Sequence, residues 1–370
     1  MDATWHAADF RPPPGLGNRH VQTLLPRVLP RPPIDARTEI LELPDGDFIE
    51  LAWVNPQPDQ AEAPLLVLFH GLEGSLDSPY ARHLMHTAAR LGWRALLMHF
   101  RGCGTSPNRL PRAYHSGDTA DAHWLIGQLT HRYPRALKVA AGVSLGGNML
   151  VKLVAEQGGD GLDLAGAIVI SAPLDLSACA DTLHQGVSRV YERHLLGSLK
   201  RKMRPRLASG ELPLSITPQA LDALGSLRDY DEAVTAPLHG FDGAEDYYRR
   251  ASAGPLLDRV EIPMLILHAE DDPFMPPSLF SRLPTPSPSV RVELARHGGH
   301  VGFVEWRAGR PRSWLARRVS EQLTNWRSTS RISSGTARRE SHSDRSGAVH
   351  AGCRAQAHGG HRRPHIDERD

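Results

Sequence analysis

The chain has 370 residues, with 43 Lys+Arg against 41 Asp+Glu and 40% hydrophobic residues. A net charge of +2 is too near balance for a dedicated nucleic-acid binder, and no apolar run approaches the ~18 residues of a membrane span. The cysteines, Cys103, Cys179 and Cys353, are odd in number, widely spaced and without a CxxC. That argues against a disulfide framework or a structural zinc site and fits a reducing, cytoplasmic setting.

Residues 1–36 read as an N-terminal extension, and their start lacks the basic-then-apolar plan of a signal peptide. Residues 37–43 and 48–54 flank the turn dipeptide Asp45-Gly46 and predict an antiparallel hairpin. Short apolar runs then recur at 65–69, 95–99, 139–143, 166–170, 264–268 and 290–294. Continuous runs of this length suit parallel strands covered on both faces. Helical patterns lie between them at about 79–91, 118–132 and 145–157. The alternation predicts a mostly parallel α/β sheet with helices on both faces.

Between Ala172 and Ile262 the alternation stops for a stretch too long to be a bare loop. Val187, Val190, Tyr191, Leu195, Leu199 and Met203 recur at helical spacing, so residues 175–260 read as a helical cap over the sheet edge. Lys200, Arg201, Lys202, Arg204 and Arg206 give that segment a basic end. A solvated face is the plain reading, and contact with an anionic lipid or phosphate head group is the alternative. Residues 37–327 form the body. Residues 328–370 hold eight Arg and five His but few aliphatic anchors, and predict a disordered tail. The histidines of that tail match no metal-ligand spacing. Without it, residues 1–327 carry 35 basic and 36 acidic residues, so the basicity lies in the tail.

The strongest chemical signal is Gly142-Val143-Ser144-Leu145-Gly146, which follows the run at 139–143 and opens a helical pattern. A serine at such a strand-to-helix turn stands exposed at the sheet edge, with small residues, Gly142 and Gly146, allowing the sharp bend. The helix N-terminus adds positive potential beside it. Serine is a poor nucleophile at neutral pH and needs a base that is oriented by an acid. Glu270, Asp271 and Asp272 follow the run at 264–268. Asp272 is preferred because Pro276 stands four residues after it, with Asp271 as the fallback. After 290–294 comes a glycine-framed loop in which His300 is the candidate base and His297 the second choice. Donors for a tetrahedral oxyanion are expected from the backbone N–H of Leu145 and of Leu72, the latter in the loop His70-Gly71-Leu72-Glu73-Gly74. His70 reads as a brace for that loop. The loop Arg101-Gly102-Cys103-Gly104-Thr105-Ser106 has no P-loop lysine after it, and Cys103 has no evident acid–base partner.

Together these residues resemble the YheT-type esterases of bacteria, which are related to eukaryotic abhydrolase-domain lipases. The resemblance runs through about residues 10–326. Beyond the loops above it rests on residues 18–23 (NRHVQT), on 99–121 (HFRGCGTSPNRLPRAYHSGDTAD), and on 227–231, 239–241 and 246–248. It implies an α/β-hydrolase fold acting on carboxylic esters with short- to medium-chain acyl groups or on acylglycerols. The family's charge relay maps onto Ser144, Asp272 and His300. No metal or organic cofactor is implied, the tail after 327 has no counterpart, and no N-terminal membrane anchor is expected.

The expectation is therefore a serine carboxylesterase with a small, lipid-derived ester as substrate and no nucleic-acid partner. No pattern specifies an oligomeric state. Two rivals stand beside it: acyl transfer to an alcohol through the same acyl-enzyme, and a non-catalytic binding protein on the same scaffold.

Overall fold

Every residue of Leu65–Phe69, Gly166–Ile170 and Met264–Ala269 is buried, which is the state their uninterrupted apolar sequence favours. The computed structural model describes the backbone of residues 5–346 and the side chains of residues 5–330. Its strands are β1 (Trp5–Ala7), β2 (Ala36–Glu42), β3 (Phe48–Val54), β4 (Leu65–Phe69), β5 (Arg94–His99) and β6 (Lys138–Val143). They continue with β7 (Gly166–Ile170), β8 (Met264–Ala269), β9 (Val290–Ala295), β10 (Val304–Arg307) and β11 (Arg310–Ser313).

Nine strands make one sheet in the order β1-β9-β8-β7-β6-β4-β5-β3-β2. Pairing is parallel from β1 through β5, and only the β5–β3 and β3–β2 pairs at one edge are antiparallel, so β3 alone runs against the rest. Side chains alternate between the faces. Leu65, Val67 and Phe69 pack on one side, while Leu66 and Leu68 pack on the other. The first face is covered by α3 (Ala120–Arg132) and α4 (Leu145–Gln157), the second by α2 (Pro79–Arg90) and the start of α11 (Trp314–Ser346). Fully burying each such Leu or Ile contributes roughly 1.5–3 kcal/mol, which is what holds the layers together.

Strand β4 lies between β5 and β6, so the chain order reverses there. Loops that leave the C-terminal ends of neighbouring strands at such a reversal open a crevice, the usual ligand position of an open α/β sheet. The segment 175–260 folds as α5 (Leu176–Leu183), α6 (Ser188–Ala208), α7 (Pro218–Ala223), α8 (Leu227–Tyr230), α9 (Ala236–His239) and α10 (Ala244–Ala251). One π-helical turn, Asp231–Thr235, joins α8 to α9. Caps define these short helices: Asp175 on α5, Thr217 before Pro218 on α7, and a Ser226/Asp229 capping box on α8.

The first 36 residues are more than an extension. β1 pairs with β9 at the sheet edge, and α1 (Arg19–Val28) starts at Asn18, whose side chain caps it. The β10–β11 hairpin was not legible either, being short, charged and interrupted by Pro311. The chain divides into the units Met1–Arg327 and Ser328–Asp370. The tail predicted to be disordered has a helical backbone as far as Ser346, and residues 347–370 lie outside the described residues. A helix whose first turns are already formed extends at little further cost, even through an unremarkable composition. Among the described residues no helix is long and apolar enough to cross a membrane.

Candidate active site

Ser144 sits between β6 and α4 with φ 53° and ψ −120°, a conformation that side-chain-bearing residues seldom adopt. Such a residue costs on the order of 1–3 kcal/mol and persists only where its surroundings fix it. Here Ser144 N–H donates to Ile170 O at 2.8 Å, and its carbonyl accepts from Gly147 and Asn148. A Cβ on Gly142 would come within 2.3 Å of Gly146 O, and one on Gly146 within 2.5 Å of the carbonyl oxygens of Phe69 and His70. Both glycines are thus required by close backbone approach.

The two acid–histidine choices open from the sequence separate cleanly. His300 Nδ1 lies 2.9 Å from Asp272 Oδ2, and its Nε2 lies 3.1 Å from Ser144 Oγ. His297 instead faces Asp271, at 3.5 Å. Asp272 is only 2% exposed, and its other oxygen accepts from Phe274 N–H at 2.8 Å. An ionised carboxylate only accepts, so Nδ1 carries the proton and Nε2 is left to accept from the serine hydroxyl. The Phe274 ring stacks on the imidazole, with centroids 3.9 Å apart and planes 8° from parallel. His300 N–H donates to Thr23 Oγ1, so α1 holds the backbone of this loop. Buried Gln22 adds to the grip, bonding Val304 through both its N–H and its carbonyl. Within the segment NRHVQT, Gln22 and Thr23 thus bond residues more than 270 positions away.

Leu72 and Leu145 both line the cavity that contains Ser144, and neither N–H donates to a partner among the described residues. The loop of Leu72 is pinned on both sides of that residue. Gly71 N–H donates to Tyr80 Oη, and Glu73 N–H donates to Tyr114 Oη. His70 is the brace expected: fully buried, it donates from Nδ1 to Gly71 O at 2.7 Å and accepts Phe100 N–H on Nε2. Burial lowers its pKa to about 3, which keeps the ring neutral for those roles.

Sequence reasoning passed over Glu73, which has φ 55° and a side chain only 5% exposed. Its carboxylate accepts from Tyr114 Oη (3.0 Å), Ser198 Oγ (2.7 Å) and Lys202 Nζ (3.0 Å). Ser198 and Lys202 belong to α6, so the cap grips the loop at this residue. Cys103 lies beside Lys202, yet burial pushes its thiol up to about 11, so it is no nucleophile at neutral pH. Its loop is held from below. Glu50 accepts from Thr105 and Ser106, and Asp47 accepts from Asn108 and Arg109 N–H. Arg101 bridges Asp45, Asp47 and Asp121. A lone acid inside the buried strand β3, as Glu50 is, was the available signal.

The cavity has a volume of about 1400 Å³ and runs from the sheet edge under the cap. Leu176, Leu183, Leu195, Leu199, Met203 and Leu227 line it from the cap side. Serine, histidine, orienting acid and two unpartnered N–H groups at the mouth of a deep cavity form the parts list for acyl transfer.

Residues 64–305 match the family described as alpha/beta hydrolase fold. The chain is 44% identical to "Putative esterase YheT" of Escherichia coli (strain K12) over 324 residues, covering 86% of this chain and 94% of that protein. It is 30% identical to "Phospholipase ABHD3" of Homo sapiens over 295 residues, 77% of this chain and 71% of that one. Among solved structures, the Pyrococcus furiosus esterase Pf2001 superposes with a TM-score of 0.51 at 14% identity, over 85% of this chain and 99% of its own. At that identity the likeness is one of fold.

Proposed function

The chain belongs to the α/β-hydrolase family, among esterase- and lipase-type relatives, and from that premise we propose that it is a serine hydrolase of carboxylic esters. The observation that carries the reading is the relay Ser144 Oγ–His300 Nε2 at 3.1 Å and His300 Nδ1–Asp272 Oδ2 at 2.9 Å. Ser144 Oγ attacks the ester carbonyl carbon while His300 Nε2 takes its proton. Asp272 holds the tautomer and stabilises the imidazolium. The oxyanion is received by the N–H groups of Leu145 and Leu72. His300 then protonates the departing alcohol, and the acyl group remains on Ser144. A water that gives its proton to Nε2 attacks this ester, the second oxyanion collapses, and the carboxylic acid leaves with Ser144 restored.

The substrate class follows from shape and lining. A cavity of about 1400 Å³ exceeds the ~300–1,000 Å³ of ordinary small-molecule sites, and leucines of the cap line it alongside polar residues such as Lys202, Arg206 and Asp231. This supports acyl esters, acylglycerols included, over small polar esters. Cys103 and Cys179, buried and unbridged, fit a reducing, cytoplasmic setting.

A p-nitrophenyl ester series of increasing acyl length tests the reading. Wild-type turnover with a medium-chain optimum is expected, and no turnover of any ester would overturn it. Product analysis with added alcohol distinguishes hydrolysis from acyl transfer.

A further inference from the structure

Five of the seven large apolar side chains exposed among the described residues lie on two neighbouring segments. Val21, Leu24 and Val28 form a stripe on α1, while Val187 and Val190 open α6. Val28 is 79% exposed and Val190 60%. The segments meet where His20 Nδ1 lies 3.1 Å from Tyr191 Oη, with the two rings stacked. Leu24, Val187 and Val190 also line the cavity that contains Ser144, so they form its rim. Single exposed apolar residues need no explanation, but a contiguous group around a cavity mouth marks an interaction surface.

The segments that carry this rim are also basic. Arg27 and Arg31 line the cavity, and Arg19 on α1 and Arg189 and Arg193 on α6 are exposed on the same two segments. The nearby carboxylates are engaged. Asp77 pairs with Arg82, Asp271 with His297, and buried Glu192 accepts from His184 and from Leu227 N–H. Because residues 1–327 are close to charge balance, this excess is local.

We propose that this rim docks on an anionic lipid surface. The apolar side chains of α1 and of the start of α6 enter the headgroup boundary, and the arginines meet lipid phosphates. An ester-bearing lipid then passes from the bilayer into the cavity without crossing water. A second copy of the chain fits the face less well, since a two-fold contact sets its arginines against their own copies. The inference rests on the ester-hydrolase reading for the cargo, while the docking itself does not.

Vesicle flotation of the full chain tests it, using phosphatidylcholine alone and phosphatidylcholine with roughly one-third phosphatidylglycerol. The wild type is expected to float with the anionic vesicles and about tenfold less with the neutral ones or at high salt. The double variants Val21→Asp/Val28→Asp and Arg189→Glu/Arg193→Glu are each expected to lose about tenfold of that binding. Both should turn over a water-soluble p-nitrophenyl ester at the wild-type rate, which shows that they fold. Absence of wild-type flotation, equal binding to both vesicles, or variants that bind as before would overturn the proposal. So would a lipid-free dimer dissolved by Val28→Asp. Variant-sensitive flotation by a protein that cleaves no ester would support the docking surface and sink the hydrolase reading instead.

Discussion

Lys202 on the cap helix α6 donates to the carboxylate of Glu73 at 3.0 Å, and Glu73 is the residue that follows the proposed oxyanion donor Leu72. The contact links the position of the cap to the aim of one N–H. Burial works against the charge of Lys202, but Cys103 and Glu73 beside it more than offset that and raise its pKa. Glu73→Gln keeps one acceptor oxygen, for either Tyr114 or Ser198, and removes the charge that holds Lys202. The expected result is a kcat lowered about tenfold with KM nearly unchanged, a fraction of the loss on deleting a donor outright. Rates should be normalised to sites titrated with an active-site label, so that a merely unstable variant shows no kcat effect. Lys202→Met should shift kcat in the same direction.

Asp272 and Asp271 are adjacent in sequence but face different histidines. Asp272→Asn is therefore expected to lower kcat by about 10³–10⁴ through loss of the imidazole tautomer. Asp271→Asn should leave ester turnover nearly unchanged. Steady-state kinetics on both variants check this, and equal losses would count against the assignment.

Thr23→Val removes the acceptor for His300 N–H while keeping the side-chain volume. The loop should loosen and kcat fall by up to about tenfold, since a positioning hydrogen bond contributes roughly 0.5–1.5 kcal/mol. Unchanged kinetics would show that α1 is not needed to place the histidine.

Asp231, in the π-helical turn beside the cavity, has its pKa raised to about 6 by burial, against hydrogen bonds from Thr235 and Tyr248. With a folded pKa above the unfolded one, its contribution is present below about pH 4 and lost as pH rises to about 6. Asp231→Asn removes that loss. Its stability relative to wild type should improve by about 1–3 kcal/mol between pH 4 and pH 7, then stay level. Chemical denaturation of both proteins across that range measures it.

The sheet was legible because each central strand is a continuous apolar run, and the candidate triad because its members follow such runs. The choice between Asp271 and Asp272, or His297 and His300, was not secured by pattern. It depends on loop dihedrals, among them φ 57° at Val301 and φ 149° at Gly298. Glu73 was invisible because its partners stand 41, 125 and 129 residues away. The role of residues 18–23 was hidden likewise, since Gln22 and Thr23 make their contacts across nearly the whole chain.

The central claim is that Ser144 is the nucleophile. Labelling with a fluorophosphonate, followed by peptide mass spectrometry, tests it most directly. One adduct per chain is expected, on Ser144, with both label and ester turnover absent from folded Ser144→Ala. An adduct on another residue, or a Ser144→Ala protein that still labels and turns over ester, would contradict it.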